Sequence, residues 1–262
     1  MLNSPISNRD ANAYQNARAW WRRVTNSANF YTKALTSVAQ QISRYINELV
    51  DAGKEDAIPR TLVKYSEILE PWANTVSEKM LADISLQDEK AWMRHSARMS
   101  RAMQAELDTT SLNGIIRHLR RKQIELIKSL PLEAAEQAHN LAFEAASQTG
   151  ERKGYIAAQI RQLGDITENR ALLIARTEIS TSHSIIQRAR AEHIGCEGYI
   201  WRTLRDRVVR KDHVELEGTY HRWDNPPIAE KNGERHHPGC FPNCRCYAEP
   251  VLPAKYNIGN IH

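Results

Sequence analysis

The chain has 262 residues, with 36 Lys+Arg against 31 Asp+Glu, a net charge of +5 and 41% hydrophobic residues. That suits one large or two ordinary globular domains able to bury a core. Eleven glycines and ten prolines are too few for a collagen-like, mucin-like or linker chain. The densest apolar run, Ala171–Ala175, falls far short of the ~18 residues that span a bilayer, and Met1–Ser7 lacks the basic start and apolar stretch of a secretory signal. The expectation is a soluble chain without a membrane helix, folding in a reducing cytosol.

From Asp10 to about His193 the chain is rich in Ala, Leu, Ile, Arg, Glu and Gln, residues that lose little on entering a helix, and six or seven helices are predicted. Apolar residues at Trp20, Val24, Tyr31, Leu35, Val38, Ile42, Tyr45, Ile46 and Leu49 form one stripe over Asn16–Val50. One long helix, with Asn26–Ser27 as its weakest point, fits them. Asp56-Ala-Ile-Pro59 pairs a cap residue with an early proline, Leu130-Pro131 predicts a break between two helices, and Thr149-Gly150 predicts a stop. Met80, Trp92, Met93, Met99 and Met103 are read as core. Trp20, Trp21, Phe30, Tyr31, Trp72 and Trp92 exceed what a small bundle buries alone, so part of this set is expected at an exposed docking surface.

After Gly195 the texture changes, and all four cysteines lie here. Glu197–Leu204, with Tyr199, Ile200 and Trp201, predicts a strand; Arg207–Leu216 predicts a short helix; the proline-rich stretches Trp223–Pro227 and His237–Asn243 predict loops. The fold class expected is mainly α with a smaller α+β C-terminal part. A long-helix region is followed by a loop-rich mixed domain stapled by cysteine and histidine.

The staple candidate is Cys240-x3-Cys244-x-Cys246, preceded by His236-His237 and, farther back, His213 and His221. Thiolate and imidazole are the ligands zinc prefers, and a loop region too polar to build a core gains folding free energy from such a site. His213, His237, Cys240, Cys244 and Cys246 form the candidate ligand set. On a regular strand Cys-x-Cys would point its sulfurs to opposite faces, so both reach one metal only from a turn. Disulfides and free thiols are the alternatives. Asp206 and His213 suggest a metal-dependent nuclease centre, without a diagnostic spacing. No Gly-rich phosphate loop, HExxH or GxSxG string is present. Arg202, Arg205, Arg207, Arg210 and Lys211 are candidate DNA contacts, and Arg117, Arg120, Arg121 and Lys122 form a second basic cluster.

The order of these features carries more than any one of them. An Ile174-Ala-Arg176-Thr177-Glu178 helix is followed by Trp201, Asp206-x3-Arg210-x2-His213, Gly218, Trp223-Asp224-Asn-Pro-Pro227 and Asn243-Cys244-Arg245-Cys246. This resembles the phage head-morphogenesis domain of the Mu F-like minor head proteins, over roughly Leu126–Leu252. The resemblance implies no enzyme but a minor capsid protein of a tailed phage, acting in procapsid assembly and in DNA packaging or ejection. It implies a place in the virion, at or near the portal inside the head, after assembly in the host cytoplasm. The implied partners are the portal protein, other head proteins or further copies of the chain, and packaged double-stranded DNA. A metal-dependent DNA hydrolase and a zinc-stapled DNA-binding module are the rival readings. The domains expected are a helical arm or bundle over 1–125, contacting portal or capsid, and the head-morphogenesis domain over 126–262. Arg176 and Glu178, two apart on a helix, are expected to meet different neighbours, Arg176 reaching the Cys-rich lobe. Truncation before Leu126 is expected to leave the C-terminal domain folded.

Overall fold

The structure, a computed structural model, describes residues 8–96, 101–146 and 151–256. Its α-helices are α1 (Asn8–Asp51), α2 (Ile58–Ile68), α3 (Glu70–Ser96), α4 (Arg101–Asp108), α5 (Asn113–Ala146), α6 (Glu151–His193) and α7 (Lys211–Glu215). The strands are β1 (Gly198–Thr203), β2 (Tyr220–Arg222) and β3 (Cys246–Pro250). With 72% helix and one small antiparallel sheet, the chain is mainly α with a minor β part, as its sequence predicts.

Helix α1 runs through Asn26 and Ser27 without a break. Helix α2 has its proline in the first turn as expected, but Ala57 occupies the cap position and Asp56 lies in a 3₁₀ turn ahead of it. The break expected at Leu130-Pro131 is absent, because α5 continues through Pro131. An interior proline costs about 3 kcal/mol; Ile127, Leu130, Ala134, Ala135 and Ala138 are all buried around it, and burying that stripe outweighs the lost backbone bond. Thr149-Gly150 and Met99 lie outside the described residues.

The chain divides into two compact units, neither contiguous in sequence. The first comprises the residues up to Ala28, Ala82–Ile116 and the residues from Thr177 on; the second comprises Asn29–Leu81 and Arg117–Arg176. The boundary expected at 125–126 falls inside α5.

The second unit is helical. Its core takes Tyr31, Leu35, Val38, Ile42 and Ile46 from α1, with Leu62, Leu81, Ile127 and Ile160 from other helices. The Tyr31 hydroxyl donates to Gln123 Oε1 at 2.7 Å within this interior. Phe30 and Trp72, both in this unit, are exposed.

The first unit holds the sheet, in the order β2-β1-β3, with Tyr199 opposite His221 and Thr203 opposite Cys246. Along β1, Tyr199, Trp201 and Thr203 point inward while Ile200 and Arg202 are half-buried, the two-residue period of a strand with one face on a core. That core joins Trp201, Trp223, Tyr199 and Cys246 to Trp92, Met103 and Leu107 of α3 and α4. The ring of Trp20 stacks on Tyr247 with 5.3 Å between centroids, and Arg245 lies over Trp21 at 4.6 Å. Trp20, Trp21 and Trp92, read from sequence as part of a docking set, therefore pack inside the unit that carries the sheet.

A buried ion pair also belongs to this unit. Arg190 of α6 places its Nε 2.9 Å from Asp88 Oδ2 of α3, with both side chains less than a tenth exposed. Burial raises the Asp88 carboxyl to about 7 despite the pull of Arg190 and Arg23.

Candidate metal centre

Three chain segments of the first unit build one cluster. The turn before β3 supplies Cys244, β3 opens with Cys246, and α7 supplies His213, all three buried. Asn243 has a φ of 54°, which turns the backbone just before Cys244. Cys244 consequently lies off the strand, and the opposite-face rule that would separate two sulfurs on a regular strand does not apply. His213 Nδ1 lies 3.7 Å from Cys244 Sγ and 3.4 Å from Cys246 Sγ.

The cluster extends behind His213. Its Nε2 stands 3.2 Å from Glu230 Oε1, and His236 Nε2 stands 3.8 Å from the same oxygen. His213 Nε2, Glu230 Oε1, His236 Nε2 and the neighbouring Trp201 Nε1 are buried and make no well-aligned hydrogen bond. The Trp201 ring packs edge-on against His213 with 5.3 Å between centroids, which fixes the imidazole.

Gly239 makes the approach possible. Its backbone N–H donates to Cys244 Sγ at 3.3 Å, its φ is +85°, and a Cβ there would stand 2.3 Å from Ser184 Oγ. Only glycine meets both demands. From α6, Ser184 donates to Pro238 O at 2.6 Å and Thr181 to Gly239 O at 3.4 Å, anchoring the loop.

The charges fit a thiolate site. The Cys244 thiol is held well below its usual range by hydrogen bonding to Cys246, with further help from His213 and the Gly239 N–H. The same contact and burial push Cys246 up, so the pair shares one proton. Burial pulls His213 down, but the Cys244 hydrogen bond and the Glu230 charge leave it raised.

Of the five ligand candidates read from sequence, His213, Cys244 and Cys246 come together. His237 and Cys240 belong to no group of three close ligand atoms among the described residues. Both ring nitrogens of His237 are engaged, Nδ1 with the Tyr199 hydroxyl at 3.0 Å and Nε2 with Arg188 at 2.9 Å. Burial and Arg188 push it down to about 4. The adjacent His236 faces the cluster instead. Glu230 carried no sequence signal, being an ordinary acid in a loop; the isolated bridge between Ile228 and Arg235 folds that loop back on itself.

The other motif residues are structural. Asp206 binds Arg245 and accepts the Val208 N–H at 3.1 Å, while Arg210 donates to Pro242 O at 2.8 Å. Both thus turn toward the segment leading into Cys246. The Gly218 N–H donates to the Trp201 carbonyl at 2.8 Å. Trp223 is buried against Tyr199 at 4.4 Å between centroids, and the exposed Asp224 pairs with Arg222 at 3.0 Å. Thr177 is half-buried, Glu178 is buried and Arg176 is exposed. Arg176 does not fill the role expected of it: the α6 side chains on the Cys-rich loop are Thr181, Ser184 and Arg188.

The basic run is mostly paired. Arg202 binds Glu249 and Glu217, Arg205 binds Glu217 at 3.1 Å, and Arg210 lies 3.6 Å from Glu230. Arg207 and Lys211 stand exposed.

A mainly helical protein whose small sheet closes over a Cys/His cluster is thus defined, with the Trp strand and the Cys-Arg-Cys turn in the first unit and the Ala-Arg-Thr-Glu motif crossing the unit boundary at Arg176–Thr177. Residues 139–249 match the family model of Phage Mu protein F like protein, and over those residues the chain is similar to that family. The chain is 36% identical over 129 residues to an uncharacterized protein of Haemophilus influenzae, a match covering 49% of this chain and 28% of that protein. The chain therefore spans under a third of that relative's length. No solved structure matches. Among the described residues no helix is long and apolar enough to cross a membrane.

Proposed function

We propose that the protein is a minor head protein of a tailed phage, bound at or near the portal inside the head, where it acts in procapsid assembly and in DNA packaging or ejection. The observation that carries this reading is the Mu F-like match over 139–249, whose motif residues Glu178, Trp201, His213, Trp223, Cys244 and Cys246 are buried. Buried motif residues preserve a fold rather than meet a substrate. The exposed rings of Phe30 and Trp72, in the helical unit, support a protein that docks on other proteins, since aromatic anchors are enriched at interface centres.

Two features speak against the hydrolase reading: Asp206 is engaged with Arg245 and His213 with Glu230, so they form no open metal centre together. Arg207 and Lys211 are the side chains best placed for a weak, salt-dependent contact with packaged duplex DNA. Co-expression with the portal protein of the same phage tests the proposal. The chain should co-purify with portal rings and enter heads, and Phe30→Ala with Trp72→Ala should reduce its copy number at unchanged stability. Metal-dependent nicking of duplex DNA by the wild-type chain, abolished in folded Asp206→Ala and His213→Ala variants, would overturn it.

A further inference from the structure

We propose that Cys244, Cys246 and His213 are the ligands of one zinc ion that locks the final strand to α7, with Glu230 orienting His213. A tetrahedral site with Zn–S of about 2.3 Å and Zn–N of about 2.0 Å has an S···N edge of about 3.5 Å. The two S···Nδ1 separations, 3.7 and 3.4 Å, bracket that edge. All three ligand atoms lie within 4.8 Å of one another.

The surroundings are those a metal-bound imidazole needs. A histidine that ligates through one nitrogen usually donates the other N–H to a carboxylate. Glu230 Oε1 stands 3.2 Å from His213 Nε2, and both atoms otherwise make no well-aligned hydrogen bond in the interior. Ligation at Nδ1 fixes the tautomer that carries the proton on Nε2, and so gives His213 Nε2 a proton to donate to Glu230 Oε1. The Gly239 N–H already points at Cys244 Sγ, a donor suited to a thiolate. His236 is the side chain placed next to the group.

Burial separates this reading from its chemical rivals. Cys244, His213 and Glu230 have the order of a nucleophile, a base and an orienting acid, but Cys244 is 3% exposed and His213 1%. A neighbouring surface cavity of about 480 Å³ is lined by Arg210, Lys211, Asp212, Glu230, Lys231 and Asn232, and reaches neither cysteine. A substrate has no path to the sulfur, whereas a structural ion is enclosed during folding. Soft thiolate and imidazole donors select zinc over magnesium or calcium.

The test uses the full chain, purified under reductant without chelator. Elemental analysis should find about one zinc per chain, and X-ray absorption should find two sulfur neighbours, one imidazole nitrogen and a fourth light donor, nitrogen or oxygen. Cobalt exchanged for the zinc should give the intense visible bands and thiolate charge transfer of a tetrahedral site. Cys244→Ser, Cys246→Ser and His213→Gln should each lose most of the metal, while Cys240→Ser should keep it. Should a variant fail to fold, release of zinc on modification of two thiols per wild-type chain decides the matter. Wild-type chain without zinc and without a tetrahedral cobalt spectrum would overturn the proposal. So would a metal shell lacking sulfur, metal retained in the Cys244→Ser, Cys246→Ser double variant, or a Cys244–Cys246 disulfide in the metal-free native protein. None of these readouts depends on head assembly.

Discussion

Replacing Arg190 by methionine strands a carboxylate. Asp88 is buried, its Oδ2 lies 2.9 Å from Arg190 Nε, and Glu89 adds a weaker contact at 3.6 Å. Removing one partner of a buried pair costs roughly 3–5 kcal/mol, whereas replacing both by apolar groups of similar volume is often neutral or stabilising. Arg190→Met should therefore unfold about that much more easily at pH 8, and Asp88→Leu with Arg190→Met should come within about 1 kcal/mol of wild type or exceed it. The pH dependence has a definite sign. Burial raises the Asp88 carboxyl from 3.8 to about 7, so the folded chain holds this proton more tightly than the unfolded chain. The contribution is present below the unfolded value and is lost as pH rises through about 7. Over that window it amounts to something on the order of 4 kcal/mol, at about 1.4 kcal/mol per pH unit. Urea unfolding followed by tryptophan fluorescence at pH 5, 6, 7 and 8 reads the difference between wild type and Asp88→Asn, which isolates the Asp88 term. Parallel curves for the two proteins would refute the reasoning, as would an Arg190→Met penalty that stays constant down to pH 5.

His183, buried and pushed down to about 3 by burial and the nearby Arg23, acts in the opposite sense: its stability contribution is present above 6.5 and lost as pH falls toward 3. His183→Gln should flatten the acid limb of the stability curve, as read by the same titration. Gly239→Ala should lower the melting temperature, with overpacking against Ser184 costing roughly 1–3 kcal/mol before the strain of a left-handed φ is added. Expression of residues 126–262 alone should give a chain without fixed tertiary structure, because Trp20, Trp92, Met103 and Leu107 are gone from the core around Tyr247 and Trp201. Near-ultraviolet circular dichroism checks this, and a native-like signal with cooperative melting would contradict it.

Local patterning made the helices and the central strand readable. The stripe from Trp20 to Val50, the Gly195 stop at φ 83° and the aromatic alternation of β1 each have one physical solution at short range. Pro131 misled because a local breaker competes with burial on both sides of it, and the outcome depends on neighbours distant in sequence. The same limit governs the cluster. Cys244, Cys246 and His213 were legible as ligand types, but choosing His236 over His237 depends on which ring Tyr199 and Arg188 capture. Glu230 is indistinguishable from a solvated loop acid until the Ile228–Arg235 bridge turns it inward. Which of the six large aromatics stay exposed was illegible for a related reason: Trp20, Trp21 and Trp92 are covered by Tyr247, Arg245 and Trp201, more than a hundred residues away, while Phe30 and Trp72 remain exposed.

The interleaving of the two units sets an order of birth. As the chain leaves the ribosome, every segment of the helical unit has been made once Arg176 is out, before any residue from Thr177 onward exists. Trp20 must meanwhile wait for Tyr247, and Trp92 and Met103 for Trp201, Trp223 and Tyr256, to be synthesised. Until then they are an uncovered apolar surface, a state prone to sticking and to proteolysis. A message cut short between Arg176 and the closing Cys-Arg-Cys turn yields a chain with one finished unit and one open wound. Such a fragment is marked for removal by its own uncovered surface.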